Sequence, residues 1–176
     1  MPEASHGTGS SRPARSYGFC VLGRTYEGQD CSIARTLEVV GERWTLLVLR
    51  ECFMGTARFD DFQRRLGIAR NVLQTRLERL VEEDVLERRP YQERPVRFEY
   101  RLTAQGRDLL PVLLALLEWG DRHRSPDGPR VAIAHARCGG PVNASLVCGR
   151  CGATVGIHSI AIEPRRARVT PPAPVA

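Results

Sequence analysis

Residues 58–102 read RFDDFQRRLGIARNVLQTRLERLVEEDVLERRPYQERPVRFEYRL and decide the fold of this chain. Phe59, Phe62 and Leu66 recur at helical spacing and predict a short amphipathic helix at the start of this stretch. Gly67 is expected to end that helix, because glycine readily adopts the left-handed conformation found after helix C-termini. A tight turn then leads into a second helical pattern.

The second pattern predicts a helix over about residues 69–83. Its apolar residues recur at steps of three or four and predict one buried face; they are Ala69, Leu73, Leu77, Leu80 and Val81. Asp84 falls where a left-handed cap is expected, a conformation that Asp tolerates better than most residues. The order of helix, tight turn and helix indicates a helix-turn-helix, whose second helix can enter the major groove of DNA.

Two runs of β-favouring residues follow and predict a hairpin over about residues 85–102, the wing of a winged helix. We expect strands over residues 85–89 and 97–102 around a tip from Pro90 to Pro95. Both prolines are expected to lie outside the paired register, because proline cannot donate to a β-ladder.

Helical patterns flank this stretch on both sides. Residues 31–52 carry apolar residues at helical spacing with an interruption at Gly41, which predicts two helices or one kinked helix. Thr103 is expected to cap a final long helix that ends near Trp119, with Pro111 as a kink or late start. Because the apolar side chains of this helix cover more than one face, we expect a homodimer to bury them.

The outward face of the second helix carries side chains that can read bases. Rotation by about 100° per residue away from Leu73 defines this face, which comprises Asn71, Gln74, Thr75, Glu78 and Arg79. Asn and Gln can pair with adenine and Arg with guanine, whereas Arg70 and Arg76 flank the face and are placed to reach phosphates.

The wing adds candidate contacts to the DNA backbone or to an adjacent minor groove. They are Arg88, Arg89, Tyr91, Gln92, Arg94 and Arg97. The formal net charge of +6 favours an anionic partner, and all 26 residues counted as Lys or Arg are Arg. A polar helix face is more often merely solvated, so the order of elements and the arginine-rich hairpin carry the prediction of duplex DNA as the partner.

Composition divides the chain into five segments. They are a polar tail (1–16), the winged helix-turn-helix and dimerisation domain (17–124), a linker (125–130), a Cys-containing module (131–163) and a basic, Pro-rich tail (164–176). Both tails have compositions typical of disorder. Since the first residues lack the apolar core of a signal peptide and no apolar run reaches the ~20 residues of a membrane span, we expect a cytoplasmic, nucleoid-associated protein.

The fourth segment contains the pattern His135-x2-Cys138-x9-Cys148-x2-Cys151. One imidazole nitrogen and three thiolates can bind a structural zinc ion tetrahedrally, with no position left open for catalysis. We therefore expect a small β module resembling a zinc ribbon, which has too little core to fold without metal. His158 is a substitute for His135 as the fourth ligand, and a disulfide or free thiols are the alternatives.

Six motifs, in this order, resemble the HxlR family of regulators. They are CSIAR (31–35), VGERWTLL (40–47), RFDDF (58–62), IARNVL (68–73), ERRPY (87–91) and YRLTAQGR (100–107). The resemblance spans residues 26–119. It implies a winged helix related to the MarR type, a homodimer built from the N-terminal segment and the last long helix, and a palindromic operator near regulated genes.

The sequence departs from the family pattern in two places. Ala69 stands where such proteins often have a Ser cap, and Asp84 stands where Gly is usual. Losing a cap costs about 1 kcal/mol, which weakens the helix start without abolishing it.

Cys31 stands at the position of the family's N-terminal cysteine, which in some members senses oxidants or electrophiles. The resemblance therefore makes Cys31 a candidate sensor and implies a small-molecule or redox effector. Most buried lone cysteines are only small apolar fillers. Arg35, one helical turn later, could stabilise a thiolate here.

Two other classes of function are compatible with parts of the sequence. A protein-binding winged helix with a zinc module could act as an adaptor in a transcription or RNA-handling complex, and would lack salt-dependent affinity for duplex DNA. Cys148 and Cys151 could form a thiol redox pair, but no strand-helix-strand pattern surrounds them. Since the sequence contains no phosphate loop or hydrolase constellation either, we do not expect an enzyme.

Overall fold

The computed structural model describes Tyr26, Gln29 and residues 31–162. The chain divides into two compact units between Arg43 and Trp44.

The first unit contains helix α1 (Ser32–Val40). The helix begins after Cys31, whose sulfur accepts a hydrogen bond from the backbone N–H of Ala34 at 3.3 Å. It ends at Gly41, where an added Cβ would lie 2.4 Å from the carbonyl oxygen of Leu37. The predicted interruption at Gly41 is confirmed, because the next helix starts separately at Thr45.

Three helices open the second unit: α2 (Thr45–Phe53), α3 (Phe59–Leu66) and α4 (Arg70–Glu82). Their apolar side chains form the centre of a shared core, with Val48, Leu49, Phe62, Leu73, Leu77 and Leu80 each 0% exposed. Full burial of such a side chain stabilises the fold by about 1.5–3 kcal/mol. This burial fixes the rotation of α4 about its own axis.

The turn between α3 and α4 and the end of α4 agree with the sequence predictions. Gly67 adopts a left-handed conformation with φ 62° after α3. Asp84 is also left-handed, with φ 55°, just beyond α4. Ala69 has an extended backbone at the start of α4 but offers no side-chain oxygen to cap it.

Strands β1 (Leu86–Glu93) and β2 (Val96–Leu102) form the predicted antiparallel hairpin. The predicted six-residue tip is wrong, because the strands continue to a turn at Arg94 and Pro95. Pro90 pairs with Phe98 within the ladder, and a register shift before Gln92 leaves a bulge. A proline fits here because one side of each strand in a hairpin faces away from its partner and needs no donor.

The base of the hairpin is tied to the segment that precedes α3. The backbone N–H of Tyr100 donates to the carbonyl of Ala57 at 2.8 Å, and Arg58 forms an isolated bridge with Glu99. The wing is therefore held by the same unit that holds the two helices of the helix-turn-helix.

The region after the hairpin differs from the single long helix predicted. Thr103 caps α5 (Ala104–Arg107), accepting a hydrogen bond at 3.0 Å from the N–H of Gly106. The longer helix α6 (Leu110–Arg124) starts separately, with Pro111 in its first turn as one of the two predicted options. Its predicted end near Trp119 is wrong, because the helix continues to Arg124. The basic residues of its last turn interact favourably with the negative end of the helix dipole.

The C-terminal part of the second unit contains little regular structure. Within residues 131–162 the β structure consists of two isolated bridges, Ala134 with Pro141 and Val147 with Thr154. A 3-10 turn follows at Ile157–Ser159. No helix in the described part of the chain combines the length and apolar content needed to cross a membrane.

Gly106 gives a test of this packing. An added Cβ would lie 2.1 Å from the backbone carbonyl oxygen of Val85, which cannot move aside like a side chain. We expect Gly106→Ala to lower the free energy of unfolding by about 1–3 kcal/mol, the usual cost of overpacking. Urea denaturation measures this free energy of unfolding.

The matched control is Gly156→Ala. Its added Cβ meets nothing within 4 Å, and its φ of −84° suits any residue. Equal stability of the two variants would contradict the close approach of α5 to the start of the hairpin.

Candidate DNA-binding surface

The outer face of α4 is polar and accessible. Asn71, Gln74, Thr75, Glu78 and Arg79 are exposed, whereas Leu73, Leu77 and Leu80 are buried on the opposite side. The polar face of α4 therefore points away from the core, as the sequence predicts.

The polar groups of this face are engaged with one another along the helix. Gln74 Nε2 donates to Glu78 Oε1 at 2.9 Å, and Thr75 Oγ1 donates to the carbonyl of Asn71 at 3.0 Å. Exposed side-chain pairs of this kind stabilise a helix by only about 0.2–0.5 kcal/mol, so Gln74 can exchange its partner for another acceptor or donor at little cost.

The arginines of α4 differ in their surroundings. Arg79 makes ion pairs with Glu83 at 2.6 Å and with Glu82 at 3.6 Å. Arg70 stacks over the ring of Phe59, with 4.7 Å from its guanidinium carbon to the ring centroid. Arg76 is half-buried. Arg70 also lies 3.9 Å from Asp60, an exposed and therefore weak ion pair that its guanidinium can leave for other hydrogen bonds.

The wing presents its arginines in two ways. Arg88 stacks over Phe98 at 4.1 Å, and Arg89 pairs with Glu87 at 2.6 Å. Arg94 and Arg97 are exposed near the turn. The predicted set of wing arginines is therefore at the surface, but Arg89 shares its charge with a neighbouring carboxylate.

Tyr91 and Gln92 have structural partners as well as exposed surface. Tyr91 is half-buried beneath the guanidinium of Arg58, 4.5 Å from its ring centroid. Gln92 Nε2 donates to the carbonyl of Arg94 at 3.0 Å and so supports the turn. Their placement gives both residues a role in shaping the wing.

One cleft lies between α3, the start of α4 and the wing. Arg70 from the helix and Tyr91 and Arg97 from the wing line it together. Arg58 and Arg64 also line this cleft, and the sequence reasoning missed both. Arg58 reaches it through its bridge to Glu99, a pairing between distant residues that periodicity does not reveal.

Electrostatics also connect α4 with the wing. Burial raises the pKa of Tyr100, with Glu78 raising it further and Arg88 opposing the shift. Hydrogen bonding from Arg101 lowers the pKa of Glu99, so this carboxylate stays charged and occupies Arg101. Arg101 is thus directed along the strand toward Glu99.

The cysteines outside the C-terminal part occupy contrasting environments. Cys31 is exposed at the start of α1. Burial, followed by the charge of Glu51, raises the pKa of Cys52 to about 12, so this thiol stays protonated at neutral pH. Cys52 is a packing residue, whereas Cys31 is accessible to solutes.

The candidate zinc ligands form two separate pairs. His135 Nδ1 lies 3.2 Å from Cys138 Sγ, and backbone N–H groups of Cys151 and Arg150 lower the pKa of Cys148, with the Cys151 side chain contributing. The five cysteines described are free thiols. In residues 31–162 the structure does not gather three potential metal ligands into one group, and His158 lies in the 3-10 turn.

The sequence of the region that contains α3, α4 and the hairpin matches a known family. The model of the HxlR-like helix-turn-helix matches residues 39–127. The chain belongs to the HxlR family. It is a transcriptional regulator with a winged helix-turn-helix domain, and its relatives are regulators rather than enzymes.

Three relatives illustrate the similarity. The HTH-type transcriptional regulator Rv3095 of Mycobacterium tuberculosis is 44% identical over 144 residues, which cover 81% of this chain and 90% of Rv3095. The crystal structure of PA1607, a candidate transcription factor, is 35% identical with a TM-score of 0.69, covering 78% of this chain and 97% of PA1607. The oxidised form of the redox regulator HypR is 33% identical with a TM-score of 0.50, covering 53% and 98% of the two chains.

Proposed function

We propose that this HxlR-family regulator binds a palindromic operator as a homodimer, with α4 in the major groove and the β1–β2 hairpin on the neighbouring backbone. One observation carries the proposal: Arg70 at the start of α4 and Arg97 on the wing line the same cleft, and the polar face of α4 that begins at Asn71 is exposed beside it. A duplex that follows this surface would meet base-reading groups and phosphate-binding groups together.

Base reading is assigned to the exposed residues of α4. The Gln74 and Asn71 amides can donate and accept at the major-groove edge of adenine, and the Arg79 guanidinium can donate to guanine. Arg79 must first leave its ion pairs with Glu82 and Glu83, which are exposed and therefore weak. Gln74 needs to give up only one hydrogen bond to Glu78.

Phosphate binding is assigned to arginines at the edge of this surface. Arg70 and Arg76 lie in α4 at the flanks of its polar face, while Arg88, Arg94 and Arg97 extend along the wing. Their contacts release counterions from DNA, so affinity should fall as the salt concentration rises. The stacked guanidinium of Arg88 is oriented by Phe98, which reduces the entropy lost when it binds.

The homodimer is assigned to α6. None of its residues, all of which are described, is buried within one chain. Leu116 is 48% exposed and Trp119 is 53% exposed. A second copy would cover this apolar surface, and its two-fold axis would align two α4 helices with half-sites about 34–36 Å apart.

A sensor role for Cys31 stays a prediction. The thiol is exposed at a helix start, where it accepts the hydrogen bond from Ala34. HypR is described as a redox regulator. Alkylation of Cys31 followed by a DNA-binding measurement would test whether its modification changes operator affinity.

Arg94→Ala tests the role of the wing. We expect weaker binding to every duplex and a decrease of about one, per bound protomer, in the slope of log affinity against log salt. Fluorescence anisotropy on fragments selected from the source genome measures both quantities. Arg130→Ala removes an exposed arginine that pairs with Asp127 beyond α6, and should leave the slope unchanged.

Gln74→Ala tests base reading. Loss of one bidentate contact should cost about 1–3 kcal/mol at the operator while non-specific affinity stays the same. Repeating the selection with this variant should change the preferred base at one position in each half-site. Full-length protein without salt-dependent duplex affinity would favour the protein-binding adaptor instead.

Leu116→Glu tests the dimer. A charge in the apolar surface of α6 should disfavour association, because a buried unpaired charge is costly. Light scattering during gel filtration should report twice the chain mass for the wild type and the chain mass for the variant. Met54→Glu, which changes an apolar residue 55% exposed in the cap of α2, should remain dimeric. A monomeric wild type that still binds its operator would overturn this assignment.

A further inference from the structure

The C-terminal segment contains the same backbone turn twice. In the first turn (residues 135–140), the backbone N–H of His135 donates to the carbonyl oxygen of Gly140. The N–H of Gly139 donates to the carbonyl oxygen of His135, and both distances are 2.8 Å. In the second turn (residues 148–153), the backbone N–H of Cys148 donates to the carbonyl oxygen of Ala153. The N–H of Gly152 donates to the carbonyl oxygen of Cys148, and both distances are 2.9 Å. The two turns therefore share one hydrogen-bonding scheme.

The similarity extends beyond those hydrogen bonds. Gly139 and Gly152 occupy equivalent places and both have φ 71°, a left-handed conformation suited to glycine. Outside each turn an isolated β-bridge joins the incoming and outgoing chain. Each turn is thus a small hairpin that presents two side chains, separated by two residues, toward the same end.

The side chains at these equivalent places are metal ligands by chemistry. His135 and Cys138 occupy the first turn, and Cys148 and Cys151 occupy the second. Imidazole and thiolate are the ligands that zinc prefers in closed structural sites. We propose that the two turns together hold one structural zinc ion through these four residues.

The chain between the turns is short enough for one ion to reach both. Val142 closes the first hairpin by donating to Ile133, and Leu146 opens the second by accepting from Val155. Only residues 143–145 separate Val142 from Leu146, a path of at most about 14 Å even when extended. Zinc binding would bring together the two ligand pairs, which are separate in this structure.

The segment needs such a ligand because it has little core of its own. Val147 is 60% exposed and Ile157 is 76% exposed, although both are apolar. One hydrogen bond connects this segment to α6: the backbone N–H of Ala144 donates to Glu118 Oε1 at 2.5 Å. A metal ion that joins the two turns on either side of Ala144 would supply the missing stability.

The similarity to Rv3095 extends beyond the part of this chain that the family model matches. The alignment with Rv3095 covers 81% of this chain, which is longer than residues 1–127, so the similarity continues past the end of the family match. The match with HypR covers 98% of HypR but 53% of this chain, so HypR is the shorter protein.

Metal analysis of the full-length protein, purified under reducing conditions from zinc-supplemented cells, tests the proposal without DNA. We expect about one zinc ion per chain, and thiolate-to-metal charge-transfer absorption when cobalt replaces zinc. Cys138→Ser and Cys148→Ser, one from each turn, should both abolish stoichiometric metal binding. Cys52→Ser and His158→Ala are the matched controls and should retain it.

A second measurement guards against variants that fail to fold. Wild-type protein treated with a zinc chelator should become sensitive to protease within residues 131–162, while the winged helix stays resistant. His135→Cys should keep one ion, because it replaces one zinc ligand by another. A zinc-free wild type with a protected C-terminal segment, a Cys148–Cys151 disulfide, half an ion per chain, or full zinc in either Ser variant would overturn the proposal.

Discussion

The burial of Leu73, Leu77 and Leu80 is the constraint on which the rest of this structure depends. These side chains are fully buried in the core formed with α2 and α3. At about 1.5–3 kcal/mol each, they outweigh the exposed hydrogen bonds and ion pairs of α4. The phase of the helix is therefore set by its apolar residues, and its polar residues face outward as a consequence.

The same core also positions the wing. Val85 and Leu86 are buried at the start of the hairpin, and Tyr100 is hydrogen-bonded to the chain before α3. Aromatic rings then organise the charges, because Phe59, Tyr91 and Phe98 each lie beneath an arginine. This arrangement holds several cations at one surface while leaving their hydrogen-bond donors accessible.

Local sequence rules predicted the elements that depend on local contacts. The bounds expected for α4 differ from those observed by about one residue at each end, and Asp84 takes the left-handed conformation expected of it. The predicted hairpin tip is too long because proline usually marks the end of a strand, whereas a strand in a hairpin tolerates proline at a bulge. The end of α6 was wrong because the apolar pattern stops before the helix does.

The residues of the candidate site also divide into those that local spacing reveals and those that depend on contacts between distant parts of the chain. Residues on α4 could be found from helical rotation alone, but Arg58 could not, since its position depends on pairing with β2 far along the chain. The sequence also does not predict the ion pairs of Arg79, because spacing alone does not decide which rotamer an arginine adopts. Spacing found the four candidate zinc ligands, whereas the repeated backbone turn emerged only from the structure.

Methylation footprinting of the bound operator tests the central claim most directly, because guanine N7 lies in the major groove and adenine N3 lies in the minor groove. If α4 occupies the major groove, guanine N7 should be protected in two patches about one helical turn apart. Protection confined to adenine N3, or full reactivity of every guanine in the bound site, would contradict this docking of the regulator.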